Sequence, residues 1–190
     1  MQDMFRGDIV RLAAVNPEEA SRHYSRWGRD SFRNRLLDSE PAILFSDKAI
    51  RGWIEKDLDK ENYFAFAIRT LAEDRLVGEV GLGYARWNRH EAFVGIGIGD
   101  REDWNKGYGT DAMRLVLRFA FLELALQRVS LSVFEYNPRA IRSYEKAGFR
   151  QEGRVRGALN REGRRWDEIF MGVLRSEWLE QNGASLQLNG

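Results

Sequence analysis

The sequence contains no cysteine and only two histidines, His23 and His90. The lack of cysteine excludes disulfide bonds, thiolate zinc ligands and a cysteine nucleophile, and it fits a reducing, cytoplasmic location. Nothing in the sequence places the two histidines as a zinc pair. We therefore expect a cytoplasmic protein without a bound metal.

Long hydrophobic runs and an excess of one charge are also absent. The most apolar stretch, residues 115–126, is too short to span a bilayer and contains Arg118 and Glu123. Charged residues interrupt the beginning of the chain, so we expect no secretory signal. The 30 basic and 29 acidic residues leave a formal net charge of +1. This balance gives no reason to expect a membrane surface or a nucleic acid as the partner.

The composition is that of an ordinary globular protein, with 43% hydrophobic and 31% charged residues. A length of 190 residues is enough for one domain with a full-sized core. We expect a single domain over residues 1–181 and a flexible tail over residues 182–190, because terminal segments are often frayed.

Apolar periodicity and turn signals predict the element order β-α-α-β-β-β-α-β-α-β-β. This order implies an α/β protein with a mixed sheet and helices on both faces. Helices are expected from residue 17 onward and at residues 46–58, 107–126, 137–148 and 176–181. The polar, arginine-rich residues 25–41 are expected to be irregular.

Residues 101–111 separate a glycine-rich strand from a long apolar helix. The first N–H groups of a helix have no partners within the helix, and that end carries partial positive charge, so it binds anions. Gly107 and Gly109 lack a Cβ and let a ligand approach the backbone. We interpret this stretch as a cradle for a pyrophosphate group.

The two glycines of the cradle also fit other interpretations. A P-loop requires four residues between its glycines and then Lys-Ser/Thr, which this stretch lacks. A dinucleotide fingerprint fits better, because Gly107, Gly109 and Ala112 match G-x-G-x-x-A and Glu135 follows the next strand. However, a polar segment precedes Gly107, and too few residues follow for a doubly wound sheet. A helix start with glycines for tight packing is the third alternative.

The strand before the cradle carries Gly95, Gly97 and Gly99 at alternate positions, so one of its faces has no side chains. Interior glycines weaken a strand and often mark a ligand or another backbone that approaches closely. A ligand along this face is the simplest interpretation. Close packing of a helix on the sheet is the alternative.

Two motifs, residues 105–110 (NKGYGT) and residues 137–149 (NPRAIRSYEKAGF), resemble the GNAT superfamily of N-acetyltransferases. The resemblance covers nearly the whole chain. Within the superfamily, the chain most resembles the ribosomal-protein-alanine N-acetyltransferase branch. It implies a twisted mixed sheet of about seven strands and an acyltransferase that moves an acetyl group from acetyl-CoA to a primary amine. It also implies that acetyl-CoA (coenzyme A) lies where two parallel strands, ending near Gly99 and Glu135, splay apart.

The same resemblance implies roles for particular residues. Backbone groups around Ile96 and Ile98 would line the pantetheine arm, and Asn137 would hydrogen-bond to it. Arg142, in the second motif, would also contact the cofactor, and Tyr144 would protonate the departing thiolate. The pyrophosphate would bind the backbone amides of Asn105, Lys106, Gly107, Tyr108, Gly109 and Thr110.

The sequence does not determine which residue is the general base. Many relatives carry a carboxylate at the position of Phe93, whereas this chain has Glu91 two residues earlier, on the same face of the strand. Glu91 is either the substitute or a surface acid at a turn, and Glu79 is the other candidate. Tyr144 also has an alternative interpretation, as an amphipathic packing residue of its helix.

The partners stay open as well. A protein N-terminus, a polyamine, an aminoglycoside or an amino acid would each supply an amine, and the sequence does not exclude an acyl group longer than acetyl. Residues 27–32 and 87–91 are expected to line the acceptor side. A homodimer is neither indicated nor excluded.

Rival functions are a regulatory CoA-binding module without turnover and, from the dinucleotide fingerprint, a nicotinamide enzyme. A dense basic stretch is either an RNA- or ribosome-facing surface or a hairpin whose arginines pair with surface acids. The balanced overall charge favours the hairpin. The stretch contains Arg150, Arg154, Arg156, Arg161, Arg164 and Arg165.

Overall fold

The computed structural model describes residues 3–86 and 90–187 of the chain. These residues form one seven-stranded sheet with the strand order β1-β2-β3-β4-β5-β7-β6. Neighbouring strands are antiparallel except β4 and β5, which are parallel. The elements are β1 (Val10–Ala13), α1 (Pro17–Trp27), α2 (Ser31–Leu37), α3 (Asp47–Leu58), β2 (Phe64–Thr70), β3 (Leu76–Arg86), β4 (Glu91–Ile98), α4 (Tyr108–Leu122), β5 (Arg128–Phe134), α5 (Pro138–Ala147), β6 (Arg150–Arg161), β7 (Arg164–Leu174) and α6 (Arg175–Gln187).

The predicted α/β fold with a mixed sheet is confirmed, and side-chain caps explain where several helices begin. Asn16 accepts hydrogen bonds from the first N–H groups of α1, and Ser46 accepts one from Ala49 at the start of α3. Asn137 caps α5 in the same way, and Pro138 follows it at a position where a proline costs no hydrogen bond.

The expectation of an irregular segment at residues 25–41 is wrong, because α1 continues to Trp27 and α2 follows it. Asp30 caps α2 by accepting hydrogen bonds from the N–H groups of Phe32 and Arg33. Arg33 is buried, and its Nε donates to the carbonyl oxygen of Ile98 in β4 at 3.1 Å. A tertiary contact to the sheet therefore holds this seven-residue helix in place.

Two helix ends also differ from the expectation. The helix expected to run to residue 126 ends at Leu122, because Ala125 adopts a φ of 52° and turns the chain towards β5. The last helix was expected to end at residue 181 and continues to Gln187. Residues 182–187 of the expected tail are therefore helical, and residues 188–190 lie outside the described part.

The core lies on both faces of the sheet. On one face, α4 buries Met113, Leu117 and Phe121 completely, and the Phe121 ring lies 5.5 Å from the ring of Trp178 in α6. Burying each such side chain contributes about 1.5–3 kcal/mol to stability. On the other face, Trp27 of α1 packs in a smaller cluster with residues of β2 and β3. Helices cover both faces, as predicted.

Within residues 3–86 and 90–187, no helix is both long enough and apolar enough to cross a bilayer.

Candidate active site

The parallel strands β4 and β5 diverge along their length. They pair only at Glu91, Ala92 and Phe93, which face Arg128, Val129 and Ser130. Beyond these positions β4 continues to Ile98 and β5 continues to Phe134 without pairing to each other. The predicted splay is therefore confirmed, and a wedge opens between the carboxyl ends of the two strands.

A cavity of about 400 Å³, here called the first cavity, occupies this wedge. It is lined by the two diverging strands, the loop before α4, and α5. Every predicted cofactor-binding residue except Lys106 lines it, as does Tyr144. The Lys106 ammonium group instead lies 3.2 Å from a carboxylate oxygen of Asp103. The lining residues among those predicted are Ile96, Ile98, Asn105, Gly107, Tyr108, Gly109, Thr110, Asn137, Arg142 and Tyr144.

The start of α4 has the backbone shape expected of an anion cradle. Gly107 is the N-cap residue with a φ of 89°, and no side chain of the described residues caps the helix. Asn105 also has a positive φ, of 63°. A Cβ at Gly107 would be strained in this conformation, so the glycine is required by the turn itself. The uncapped first N–H groups of α4 fit a phosphate oxygen as ligand.

Two contacts hold α4 in place beneath the cradle. The buried carboxylate of Asp111 accepts hydrogen bonds from the N–H groups of Asp8, Ile9 and Val10, at 3.2, 2.8 and 3.0 Å. The hydroxyl groups of Thr110 and Ser143 lie 2.8 Å apart and join α4 to α5. The acid in the first turn of α4 therefore anchors the helix to β1.

α5 supplies polar groups to the first cavity. Asn137 is buried, and its Oδ1 caps the helix by accepting from Ala140 N, so only its Nδ2 group is left to donate to a ligand. Tyr144 is half-buried, and its ring packs 6.1 Å from that of Phe149. Burial raises the pKa of Tyr144 to about 12, although the charge of Arg139 opposes this shift. Its hydroxyl group is therefore protonated at neutral pH.

Cationic residues that line the first cavity were missed in the sequence, namely Arg33 of α2 and two residues of α5. Arg139 and Lys146 line it together with Arg142. The guanidinium carbon of Arg139 lies 3.5 Å from the centroid of the Trp104 ring, a cation–π contact. Their spacing along α5 is helical, and this spacing was a signal that they share one face with Arg142.

A second cavity of about 430 Å³ lies beside the first. Its walls come from α1, the end of α2, α3 and strands β2, β3 and β4. Leu37, Phe93, Gly95 and Ile96 line both cavities, so the two spaces meet where β4 leaves β5. The two cavities are therefore adjacent.

The two candidate bases lie in different places. Glu79 lines the second cavity. Burial raises its pKa, while Arg33 and a hydrogen bond from the Tyr24 hydroxyl group act in the opposite direction. Glu91 lies at the start of β4 opposite Arg128 and lines neither cavity. Glu91 does share the face of Phe93, but it is farther from the splayed end of β4.

The glycine face of β4 serves mainly for close packing. A Cβ on Gly99 would lie only 1.9 Å from the Trp27 ring, and one on Gly97 would lie 3.2 Å from the Arg33 guanidinium group. The alternative of helix packing is therefore correct for these two glycines. Gly95 is different, because a Cβ there would meet no atom of the described residues within 4 Å. It leaves open space at the junction of the two cavities.

None of residues 27–32 lines the second cavity, and the expectation that they line the acceptor side stays a prediction. Trp27 is buried against Gly99, and the Phe32 ring packs 6.3 Å from that of Trp104. Of residues 87–91, the first three lie outside the described residues. α3 forms a wall of the second cavity, although the sequence analysis did not assign it to any site.

Rival interpretations lose their structural basis. Among the strands that the structure describes, only one pair is parallel, which is incompatible with a doubly wound dinucleotide fold. Glu135 accepts a hydrogen bond from Asp167 N at 3.0 Å and pairs with Arg154 at 3.2 Å, so its carboxylate already has partners.

The arginine-rich stretch forms the β6–β7 hairpin. Arg154 pairs with Asp167 at 2.8 Å as well as with Glu135, and Arg150 pairs with Glu177 at 2.7 Å. Several of these arginines thus have acidic partners, as in the paired-hairpin alternative. Among residues 3–86 and 90–187, no cluster of His, Asp and Glu has the arrangement of a metal site.

The chain belongs to the GNAT acetyltransferase family. The family model described as an acetyltransferase (GNAT) domain matches residues 8–150. Together with the fold, this match makes the protein an acyltransferase of the N-acetyltransferase type. The narrower ribosomal-protein-alanine branch stays a prediction.

Relatives and solved structures agree with this assignment. The chain is 35% identical over 172 residues to the Bacillus subtilis protein named "Probable N-acetyltransferase YjcK", which covers 88% of this chain and 94% of that protein. It is 29% identical over 180 residues to the protein of the same organism named "SPbeta prophage-derived uncharacterized N-acetyltransferase YokL", and the match covers 93% of this chain and 96% of that protein. The spermidine N-acetyltransferase of Vibrio cholerae, solved with CoA and spermine, has the same fold, with a TM-score of 0.80, 23% identity, and coverage of 90% and 98%.

Proposed function

We propose that this enzyme transfers an acetyl group from acetyl-CoA, bound in the first cavity, to a primary amine bound in the second. The observation that carries this proposal is the junction of the two cavities at Gly95 and Ile96, beside the splayed end of β4. An acyl donor and an acceptor must meet at one point for direct transfer. Holding the two reactants in the correct geometry accounts for much of the rate acceleration of such a reaction.

The residues of the first cavity fit the parts of acetyl-CoA. The uncapped N–H groups of α4 suit the pyrophosphate, and the helical pair Arg142 and Lys146 suits a further phosphate. The carbonyl oxygen of Ile98 already accepts from Arg33 and from Trp104 Nε1 at 3.3 Å. The backbone groups nearer Ile96 and the Nδ2 group of Asn137 therefore remain for the pantetheine arm.

Two side chains move the protons. The amine nitrogen forms a bond to the acetyl carbon while the carbon–sulfur bond breaks. Glu79 accepts the proton that the amine loses, since a carboxylate with a raised pKa is a better base than an ordinary one. Tyr144 donates its hydroxyl proton to the leaving sulfur, and exchange with water restores both groups.

Calorimetry and a free-thiol assay test the function. We expect the protein to bind acetyl-CoA and to release thiol only when an amine is added. Binding of NADH without binding of acetyl-CoA would reject the proposal. Binding of acetyl-CoA with no amine-dependent thiol release would favour the regulatory CoA-binding module.

A further inference from the structure

The second cavity has predominantly apolar walls. On one side lies α3, whose residues Ile50, Trp53, Ile54 and Leu58 line the cavity. None of the residues of α3 is fully buried, and Trp53 and Leu58 are 48% and 39% exposed. An amphipathic helix normally buries its apolar face. Here this face borders empty space, which an apolar ligand would fill.

Carboxylates are scarce in this cavity. Of its described lining residues, only Glu79 and Asp57 are acidic. The Asp57 carboxylate is already paired with the ammonium group of Lys60 at 2.5 Å. That ammonium group also lies 6.0 Å from the ring centroid of Tyr63, another lining residue. The positive charge of Lys60 therefore already lies next to two residues that line the cavity.

A ligand with several ammonium groups needs a counter-charge for each one that leaves water. The Arg33 charge already acts on the Glu79 carboxylate, and Asp57 is paired with Lys60, so the cavity accommodates at most one ammonium group at a time. We infer that the acceptor is a monoamine with an apolar, preferably aromatic, body, and that polyamines are poor substrates. This inference rests on the proposed function and narrows its substrate.

A matched pair of amines tests the charge requirement. Butylamine and 1,4-diaminobutane differ by one ammonium group, which would lie among the apolar walls. We expect kcat/KM for butylamine, measured by thiol release, to exceed that for 1,4-diaminobutane by about tenfold or more. 2-Phenylethylamine should exceed both, and spermidine should be the poorest. A preference for 1,4-diaminobutane or spermidine would overturn the inference while leaving acetyl transfer intact.

The source of the apolar amine is tested in the same assay. A peptide that begins with phenylalanine presents the same chemistry as 2-phenylethylamine, so faster turnover of either supports the inference and identifies the source. If acetyl-CoA binds but no amine in the panel releases thiol, the proposed function itself fails.

A variant of the cavity wall provides a second test. Ile54→Glu adds a carboxylate to the wall, and Ile54→Gln is its uncharged control of the same size. We expect Ile54→Glu to raise the ratio of kcat/KM for 1,4-diaminobutane over butylamine about tenfold relative to Ile54→Gln. An equal ratio in the two variants would contradict the idea that the number of acidic groups in this cavity selects the acceptor.

Discussion

The Asp103 carboxylate accepts two hydrogen bonds from the guanidinium group of Arg75, at 2.7 and 2.8 Å. Arg75 lies just before β3, whereas Asp103 lies in the loop that leads to the cradle. The side chain of Asp103 is only 3% exposed. This bidentate pair therefore fixes the loop that carries Asn105 and Gly107 to the start of β3.

Replacing Asp103 should weaken both the fold and the cradle. Asp103→Asn removes the negative charge that pairs with the Arg75 guanidinium group. We expect a loss of about 1–3 kcal/mol in the free energy of unfolding. Denaturant unfolding measures this loss. The exposed acid Glu73, which lies 3.8 Å from the same arginine, gives the control Glu73→Gln. Equal stability of the two variants would contradict a structural role for the bidentate pair.

The same pair predicts a pH dependence of stability. The hydrogen bonds from Arg75, followed by that from Lys106, hold the pKa of Asp103 below its usual value despite burial. A depressed pKa in the folded state means that the stabilisation is present above the unfolded pKa and is lost as the pH falls through the folded pKa. Unfolding at decreasing pH should therefore show a loss of stability in acid that is smaller in Asp103→Asn.

Tyr144→Phe should lower kcat by about 100-fold, because a hydroxyl group that protonates the leaving sulfur would be gone. The pKa of about 12 means that Tyr144 itself stays protonated up to strongly alkaline pH. Its loss should therefore lower the rate throughout the neutral range. The control is Tyr136→Phe, whose hydroxyl group donates to the Arg35 carbonyl oxygen at 2.6 Å outside the first cavity. Unchanged turnover in Tyr144→Phe would remove this residue from the mechanism.

Glu79→Gln should lower kcat/KM by about 100-fold and remove the acidic limb of its pH profile. Because burial raises the pKa of Glu79, the base becomes protonated at a higher pH than an exposed glutamate. Activity should accordingly fall as the pH decreases through that raised pKa. Glu91→Gln distinguishes the two candidate bases. This variant should retain both the wild-type kcat/KM and the acidic limb of the pH profile. Loss of the limb in Glu91→Gln alone would assign the role to Glu91.

Gly107→Val should raise the Kd for acetyl-CoA about tenfold, equivalent to about 1.4 kcal/mol. A valine is strained at the positive φ of this residue and would displace the first N–H groups of α4. Calorimetry measures the affinity, and a melting curve reports whether the variant is folded. Gly153→Val is the control, because a Cβ at Gly153 meets nothing within 4 Å. A folded Gly107→Val variant with normal affinity would mean that the cradle lies elsewhere.

The sequence by itself determined features that depend on neighbouring residues. Asn137 and Pro138 fix the start of α5 through local capping, and the helical spacing of α5 places Tyr144 on its inner face. Gly107 fixes the turn into α4, since its positive φ is a property of the local backbone. The separation of the two motifs likewise indicated the family, which the match to residues 8–150 confirms.

Only the tertiary structure decided how distant segments combine. It showed that Gly97 and Gly99 make room for Arg33 and Trp27, and that Gly95 opens onto the junction of the two cavities. It also placed Glu79 in the second cavity. Such contacts join residues that are dozens of positions apart in the sequence. The local sequence pattern does not indicate which distant side chain packs against a glycine, or whether a cavity remains there. Packing of the whole chain determines that, and so the second cavity appears only in three dimensions.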